Sequence, residues 1–276
     1  MEEEWFGECY GARKSSFWIE KFEAWNNRRT LARLTSCALP GKKLLEIGVG
    51  SGSFLEAARE HGFEVRGCDL SPAICRQAEM KYGVPVYCGT LRDITGTGQF
   101  DVVVLNHVLE HVERPVEFLR EVERLLLPNG IAYIAVPNRA CWEACLSGWT
   151  SYEPYHLTYF SQQTLAKAVE VAGLVLERLA THESFSGWFL ALLRTGLGVN
   201  RDATIQFSRV ESVVSHSGRS RSPWFEHAYR LAMVVAGGGM WPFRWLQASL
   251  GYGDEVVCVA RKLPARLGGK TPCRPE

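Results

Sequence analysis

The chain has 276 residues, with 31 Lys+Arg against 30 Asp+Glu, 46% hydrophobic residues and 22% charged ones. That length fits one large domain, or a compact domain carrying a substantial insertion, and that much apolar sequence excludes global disorder. A formal net charge of +1 argues against a chain whose main task is coating nucleic acid or anionic membrane.

In chain order, residues 1–42 read as a helical flank or lid. From residue 43 to 180 short β-rich runs then alternate with helical ones, the pattern of an α/β domain with a mostly parallel sheet. Residues 43–47 form a first buried strand, 48–52 a glycine loop and 53–61 a helix stopped by Gly62. A second strand spans 64–68. Ser71-Pro72 then supplies an N-cap and a first-turn proline for a helix to about Tyr82. Strands follow at 84–88 and 101–106, and an amphipathic helix at 115–126 is closed by Pro128-Asn129-Gly130. A fifth strand covers 131–136. Ser161 caps a helix through Ala172, and 174–179 is a sixth strand. Residues 181–252 read as a mostly helical insertion that caps the acceptor side, with a serine-rich mobile loop at 208–222. The last strand falls within 253–263, and 264–276 is a tail.

The nine cysteines are odd in number and scattered, with no C-x-x-C pair, and Met1-Glu2-Glu3-Glu4-Trp5 lacks the basic-then-apolar order of a signal peptide. A reduced, cytoplasmic compartment is therefore expected. No run reaches the ~18 apolar residues of a membrane span. The apolar stretch 185–193 is short, and 231–243 is broken by Gly237-Gly238-Gly239 and Pro242.

The chemistry is carried first by Leu44-Leu45-Glu46-Ile47-Gly48-Val49-Gly50-Ser51-Gly52, a strand entering a glycine loop and then a helix. Glycines let this backbone turn sharply and approach a ligand, while the helix start supplies free N–H donors. The spacing is G-x-G-x-G, with Ser53 where a dinucleotide fingerprint needs its third glycine. No G-x-x-x-x-G-K-[ST] occurs, which disfavours P-loop phosphoryl transfer. Asp69, at the end of the second strand, is placed to accept both hydroxyls of a ribose.

The series LLEIGVGSGSFL, GCDLSP, FDVVVLNHVLEHV and LLLPNGIAYIAVPN resembles the successive motifs of class I S-adenosylmethionine-dependent methyltransferases, over about residues 43–180 and with the last strand. The resemblance implies an α/β, Rossmann-like, seven-stranded sheet of order 3-2-1-4-5-7-6 with an antiparallel last strand. It implies that Gly48, Gly50 and Gly52 hold the methionine part of S-adenosylmethionine, and that Glu46 steadies the loop and the amino group. It also implies that Asp69 clamps the ribose, that Leu70 and the backbone at Leu91 flank the adenine, and that Asn106 and His107 floor the sulfonium and carboxylate arm. Many relatives carry Asp where Thr90 stands, so the adenine amino group must here meet a hydroxyl or the backbone. The expected product is S-adenosylhomocysteine.

Methyl transfer needs alignment and water exclusion more than covalent machinery, and a base helps if the acceptor is a hydroxyl. The candidate bases are His156, in the loop after strand five at the ligand-binding edge of the sheet, and His107. Residues 107, 110 and 111 form H-x-x-E-H on an expected helical surface. Relatives of ubiquinone biosynthesis and RNA 3′-end modification that bind a divalent metal carry E-x-x-E-H. His107 in place of the first carboxylate disfavours a hard cation, so no metal is expected.

All nine tryptophans lie outside residues 43–136. Trp149, Tyr152, Tyr155, His156, Tyr159 and Trp188 are the candidate acceptor contacts, and their flat faces suit a hydrophobic or aromatic small molecule. Residues 181–252 hold seven Arg, no Lys and four Asp+Glu, modest for a phosphate-tracking surface, so no nucleic-acid partner is expected. The expectation is a small-molecule methyltransferase, with O-methylation favoured over N- or C-methylation. An RNA or protein methyltransferase, and a non-catalytic cofactor-binding partner, remain alternatives.

Overall fold

The computed structural model describes residues 17–149, 151, 156–183, 187–196, 198 and 239–264. Tyr152, Tyr155 and the 208–222 stretch lie outside the described residues. Seven strands form one sheet: β1 (Lys43–Ile47), β2 (Glu64–Asp69), β3 (Val86–Cys88), β4 (Phe100–Asn106), β5 (Leu126–Pro137), β6 (Val175–His182) and β7 (Glu255–Arg261). Their order is β3-β2-β1-β4-β5-β7-β6, and β7 runs antiparallel to both neighbours. This is the order implied by the resemblance. The helices are α1 (Phe17–Thr35), α2 (Ser53–Glu60), α3 (Pro72–Tyr82), α4 (Pro115–Leu125), α5 (Gln162–Val171), α6 (Gly187–Gly196) and α7 (Trp241–Ser249).

Side chains alternate across a strand, so neighbouring apolar residues feed opposite faces of the sheet. Leu44, Val102 and Val104 pack with Leu31 and Leu34 of α1, Leu55 and Ala58 of α2 and Ile74 of α3. Leu45, Val103 and Leu105 face the other way, against Leu119, Val122 and Leu125 of α4 and Leu165 and Val169 of α5. Covering both faces is why the central strands read as continuous Leu and Val runs. Among the described residues no helix is long and apolar enough to cross a membrane.

Three boundaries differ from those expected. β3 starts at Val86 rather than at residue 84, because Pro85 has no N–H to give the ladder. The Pro128-Asn129-Gly130 segment does not close α4, which already ends at Leu125. It forms an irregularity inside β5, where pairing jumps from Phe100↔Leu126 to Val102↔Ile131. Asn129 there takes φ 65°, and the backbone is tied by Asn129 N–H to Lys262 O at 3.0 Å and Lys262 N–H to Gly130 O at 2.9 Å. β6 runs on to His182 because its end pairs with Glu255 at the start of β7.

Leu119 is completely buried between α4 and the sheet. Leu119→Ala is expected to remove about 2–5 kcal/mol of stability, read as a lowered urea midpoint with an unchanged slope. A loss below about 1 kcal/mol would contradict this packing.

Candidate functional site

The strand order reverses between β1 and β4, and the carboxyl ends of both open onto one crevice. The loop after β1 is built from three left-handed glycines, with φ 75° at Gly48, 53° at Gly50 and 79° at Gly52. They serve different needs. A Cβ on Gly48 would lie 2.6 Å from Val108 Cγ2, and one on Gly52 would lie 2.9 Å from the Tyr82 ring, whereas one on Gly50 would meet nothing within 4 Å. Packing thus excludes side chains at the outer positions, while the middle one faces open space that a ligand can fill.

Asp69 holds this loop. Its Oδ2 accepts from Val49 N–H at 2.9 Å and its Oδ1 from Ser71 N–H at 2.9 Å. Burial nonetheless raises its pKa, against the pull of the backbone donors. Glu46, 3% exposed, sits behind the loop with Oε2 lacking any hydrogen-bond partner. Burial first, and the Asp69 charge second, push its pKa well above the ordinary carboxylate range. Two carboxylates facing a crevice without a cation favour a positively charged ligand.

Beside them Leu70 is 72% exposed, an apolar platform next to Asp69. Thr90 begins the short 3₁₀ turn Leu91–Asp93, and both its N–H (2.7 Å) and its hydroxyl (2.8 Å) donate to Asp93 Oδ2. With its proton committed to Asp93, the Thr90 oxygen presents lone pairs, and these suit an adenine amino group. The Leu91 side chain is buried.

Residues absent from the sequence reading close the loop from α1. The Ser51 and Ser53 hydroxyls converge on Glu23 Oε2, 3.1 Å from each, and Asn27 Nδ2 donates to Ser53 Oγ at 3.2 Å. No motif in residues 1–42 marks Glu23 or Asn27. Their place follows only once α1 packs on α2, with a carboxylate at that helix's N-terminal end.

After β4, Asn106 is followed by His107 in a left-handed conformation, φ 53°. The continuous helical surface expected for residues 107–111 does not form; a 3₁₀ turn covers Leu109–His111. His107 Nδ1 lies 3.2 Å from Glu110 Oε1 and its Nε2 lies 3.1 Å from Glu255 Oε1. Burial lowers the imidazole pKa, but the hydrogen bonds to these two carboxylates outweigh it and hold the pKa well above its ordinary value. Such an imidazolium has no lone pair to act as a base. Glu255 was also not legible from a motif, since it begins a strand 148 residues after its partner.

His111 turns to a different neighbour, with its ring centroid 4.8 Å from that of His156. Leu157 and Thr158 donate their N–H groups to Glu110 O at 2.8 and 3.1 Å, stapling the loop after β5 to the turn after β4. His156 Nδ1 is 2.9 Å from Ser151 O. A carbonyl can only accept, so Nδ1 carries the proton and the lone pair falls on Nε2. Donor atoms of Glu110, His111 and His156 all lie within 4.8 Å of one another, so the group able to hold a metal differs from H-x-x-E-H by exchanging His107 for His156.

The aromatic candidates divide. Trp149 is 1% exposed and packs with Cys141, Ala144 and Tyr159, so its face is spent on the wall. Tyr159 also borders His156, with ring centroids 6.2 Å apart. Trp188 donates to Gln247 Oε1 at 2.5 Å and meets Phe243 edge-on at 5.7 Å.

A sequence-family profile described as a methyltransferase domain matches residues 19–179. Ubiquinone biosynthesis O-methyltransferase of Pseudomonas aeruginosa (strain LESB58) is 37% identical over 111 residues, 37% of this chain and 47% of that protein. Its counterpart in Caulobacter vibrioides (strain ATCC 19089 / CIP 103742 / CB 15) is 38% identical over 106 residues, 36% of this chain and 42% of that protein. The chain therefore spans less than half the length of these curated relatives. Among solved structures, an S-adenosylmethionine-dependent methyltransferase from Archaeoglobus fulgidus superposes with TM-score 0.56 at 18% identity, covering 90% of this chain and 100% of that one. Phosphoethanolamine N-methyltransferase 2 of Haemonchus contortus, in complex with S-adenosylmethionine, gives 0.51 at 17%, covering 87% and 53%. At these identities the two structures show the shared fold. The profile match extends over more than half of the chain, which belongs to the class I S-adenosylmethionine-dependent methyltransferase family.

The orphaned Glu46 oxygen, the open space over Gly50 and the exposed Leu70 fit that family's cofactor. The same burial gives a test by pH. A folded carboxyl with a raised pKa holds its proton more tightly than the unfolded chain does. Its stabilising contribution is present below the unfolded pKa and is lost as pH rises toward the folded one. Glu46→Gln removes that loss. The cofactor-free variant is expected to melt a few degrees above wild type at about pH 8 and close to it at about pH 5. An equal difference at both pH values would contradict the buried, unpaired carboxyl.

Proposed function

We propose that this member of the methyltransferase family transfers a methyl group from S-adenosylmethionine to an oxygen of a small hydrophobic or aromatic acceptor. The observation that carries the reading is the His156 imidazole, whose Nδ1 is held by Ser151 O, on the loop at the carboxyl edge of the sheet where the glycine loop also opens. The curated relatives named as ubiquinone biosynthesis O-methyltransferases support an oxygen acceptor.

When bound, S-adenosylmethionine supplies a methyl group already activated by its sulfonium. The work left to the chain is placement. Gly48, Gly50 and Gly52 let the backbone meet the methionine arm, and Glu46 receives its ammonium. Asp69 accepts from the ribose hydroxyls with the lone pairs its backbone donors leave. Leu70 carries the adenine face, and the Thr90 oxygen and the Leu91 backbone meet the adenine edge. Asn106 and the His107 imidazolium floor the carboxylate arm. His156 Nε2 would take the proton of an acceptor hydroxyl held at this edge of the sheet. Tyr159, Trp188 and the wall packed on Trp149 exclude water.

The test is methyl transfer to a panel of phenolic acceptors, followed by mass spectrometry of the products. His156→Ala is expected to lower kcat by about a hundredfold while cofactor affinity stays near wild type. Full activity of the variant at neutral pH removes His156 as the base. Products methylated only on nitrogen or carbon overturn the oxygen reading.

A further inference from the structure

On the β5–β7–β6 side of the sheet edge lies a second polar cluster that the methyl-transfer reading does not use. Glu143 sits in the 3₁₀ turn Trp142–Cys145 after β5, Glu183 follows the end of β6, and Asp254 precedes β7. We propose that Glu143, Glu183 and Asp254 form a binding site for a hard divalent cation of the calcium or magnesium type, which ties these three segments together.

The geometry suits one ion. One carboxylate oxygen from each residue lies within 4.8 Å of the other two, the spread of oxygens around a single calcium at about 2.3–2.6 Å. Glu143 is fully buried and the Glu183 side chain is 7% exposed. Both have one oxygen anchored and one without a hydrogen-bond partner. Glu143 Oε2 accepts from Gln247 Nε2 at 2.6 Å, and Glu183 Oε2 accepts from Arg244 Nε at 3.4 Å. Their Oε1 atoms are buried and unsatisfied. A buried carboxylate oxygen with no donor is costly, and native structures keep few of them without an ion or water.

Charge points the same way. The Arg244 guanidinium pairs with Glu183 and lies near Glu143, and Asp254 adds a third carboxylate beside Glu183, so carboxylates outnumber the guanidinium among these four side chains. All three proposed ligands are oxygens, which selects hard cations over zinc or copper. Asp254 neighbours Glu255, the partner of His107, so an ion here also fixes the start of β7 beside the methyl-transfer crevice.

The test uses the full chain stripped with chelator. Trp142 adjoins Glu143, and Trp188 bonds the same Gln247 that holds Glu143, so bound terbium is within reach of tryptophan-sensitised emission. The expected result is saturable emission displaced by calcium, with affinity lowered at least about tenfold in Glu143→Gln and in Asp254→Asn. It is expected to be unchanged in His111→Ala, which alters the Glu110–His111–His156 group instead. Calcium is expected to raise the melting temperature of wild type and not of Glu143→Gln. Folded wild type without saturable emission or a calcium-dependent melting shift overturns the proposal, as does binding retained in both carboxylate variants. A chelated Glu143→Gln that melts above chelated wild type, with no ion effect on either, identifies the cluster as a shared proton instead. None of these readouts depends on methyl transfer.

Discussion

The arrangement depends on one carboxylate, Asp69, which serves the backbone and the crevice at once. It closes the glycine loop through Val49 N–H and caps the following turn through Ser71 N–H. Hydrogen bonds to an ionised acceptor are worth about 1.5–3 kcal/mol each, enough to hold the three alternating left-handed glycines, Gly48, Gly50 and Gly52, in one shape. Because β2 pairs in register with β1, from Lys43↔Glu64 to Ile47↔Cys68, the carboxylate arrives beside the loop as a consequence of sheet geometry.

Around that point the site has two electrostatic halves. On the β1–β2 side, burial raises the pKa values of the Glu46 and Asp69 carboxyls, an environment that favours a ligand bringing positive charge or hydrogen-bond donors to them. On the β4–β7 side, the His107 imidazolium is held between Glu110 and Glu255. Both N–H groups of that imidazolium are spent on the two carboxylates.

Much of this was legible in the sequence because it is local. Strand, glycine loop, helix and strand-end aspartate follow one another within residues 43–69, and each is specified by residue type at short range. The seven-strand order came from the motif resemblance, and the structure has that order. What was not legible is what tertiary packing decides. Glu23 and Asn27 reach the loop only through the packing of α1, and Glu255 reaches His107 only because the last strand inserts beside β5. The H-x-x-E-H spacing misled for a physical reason. Left-handed His107 and the 3₁₀ turn rotate His111 away from His107 and toward His156. Trp149, read as a flat face for an acceptor, is instead the centre of a small buried cluster.

The central claim is that Asp69 both builds the loop and grips the cofactor. Calorimetric titration with S-adenosylmethionine and S-adenosylhomocysteine, on wild type and on Asp69→Ala, tests it most directly. The account predicts saturable binding of both ligands to wild type and a loss of at least about a hundredfold in the variant while its β-sheet circular dichroism is retained. Folded wild type that binds neither ligand, or a variant that binds both as tightly as wild type, would contradict it.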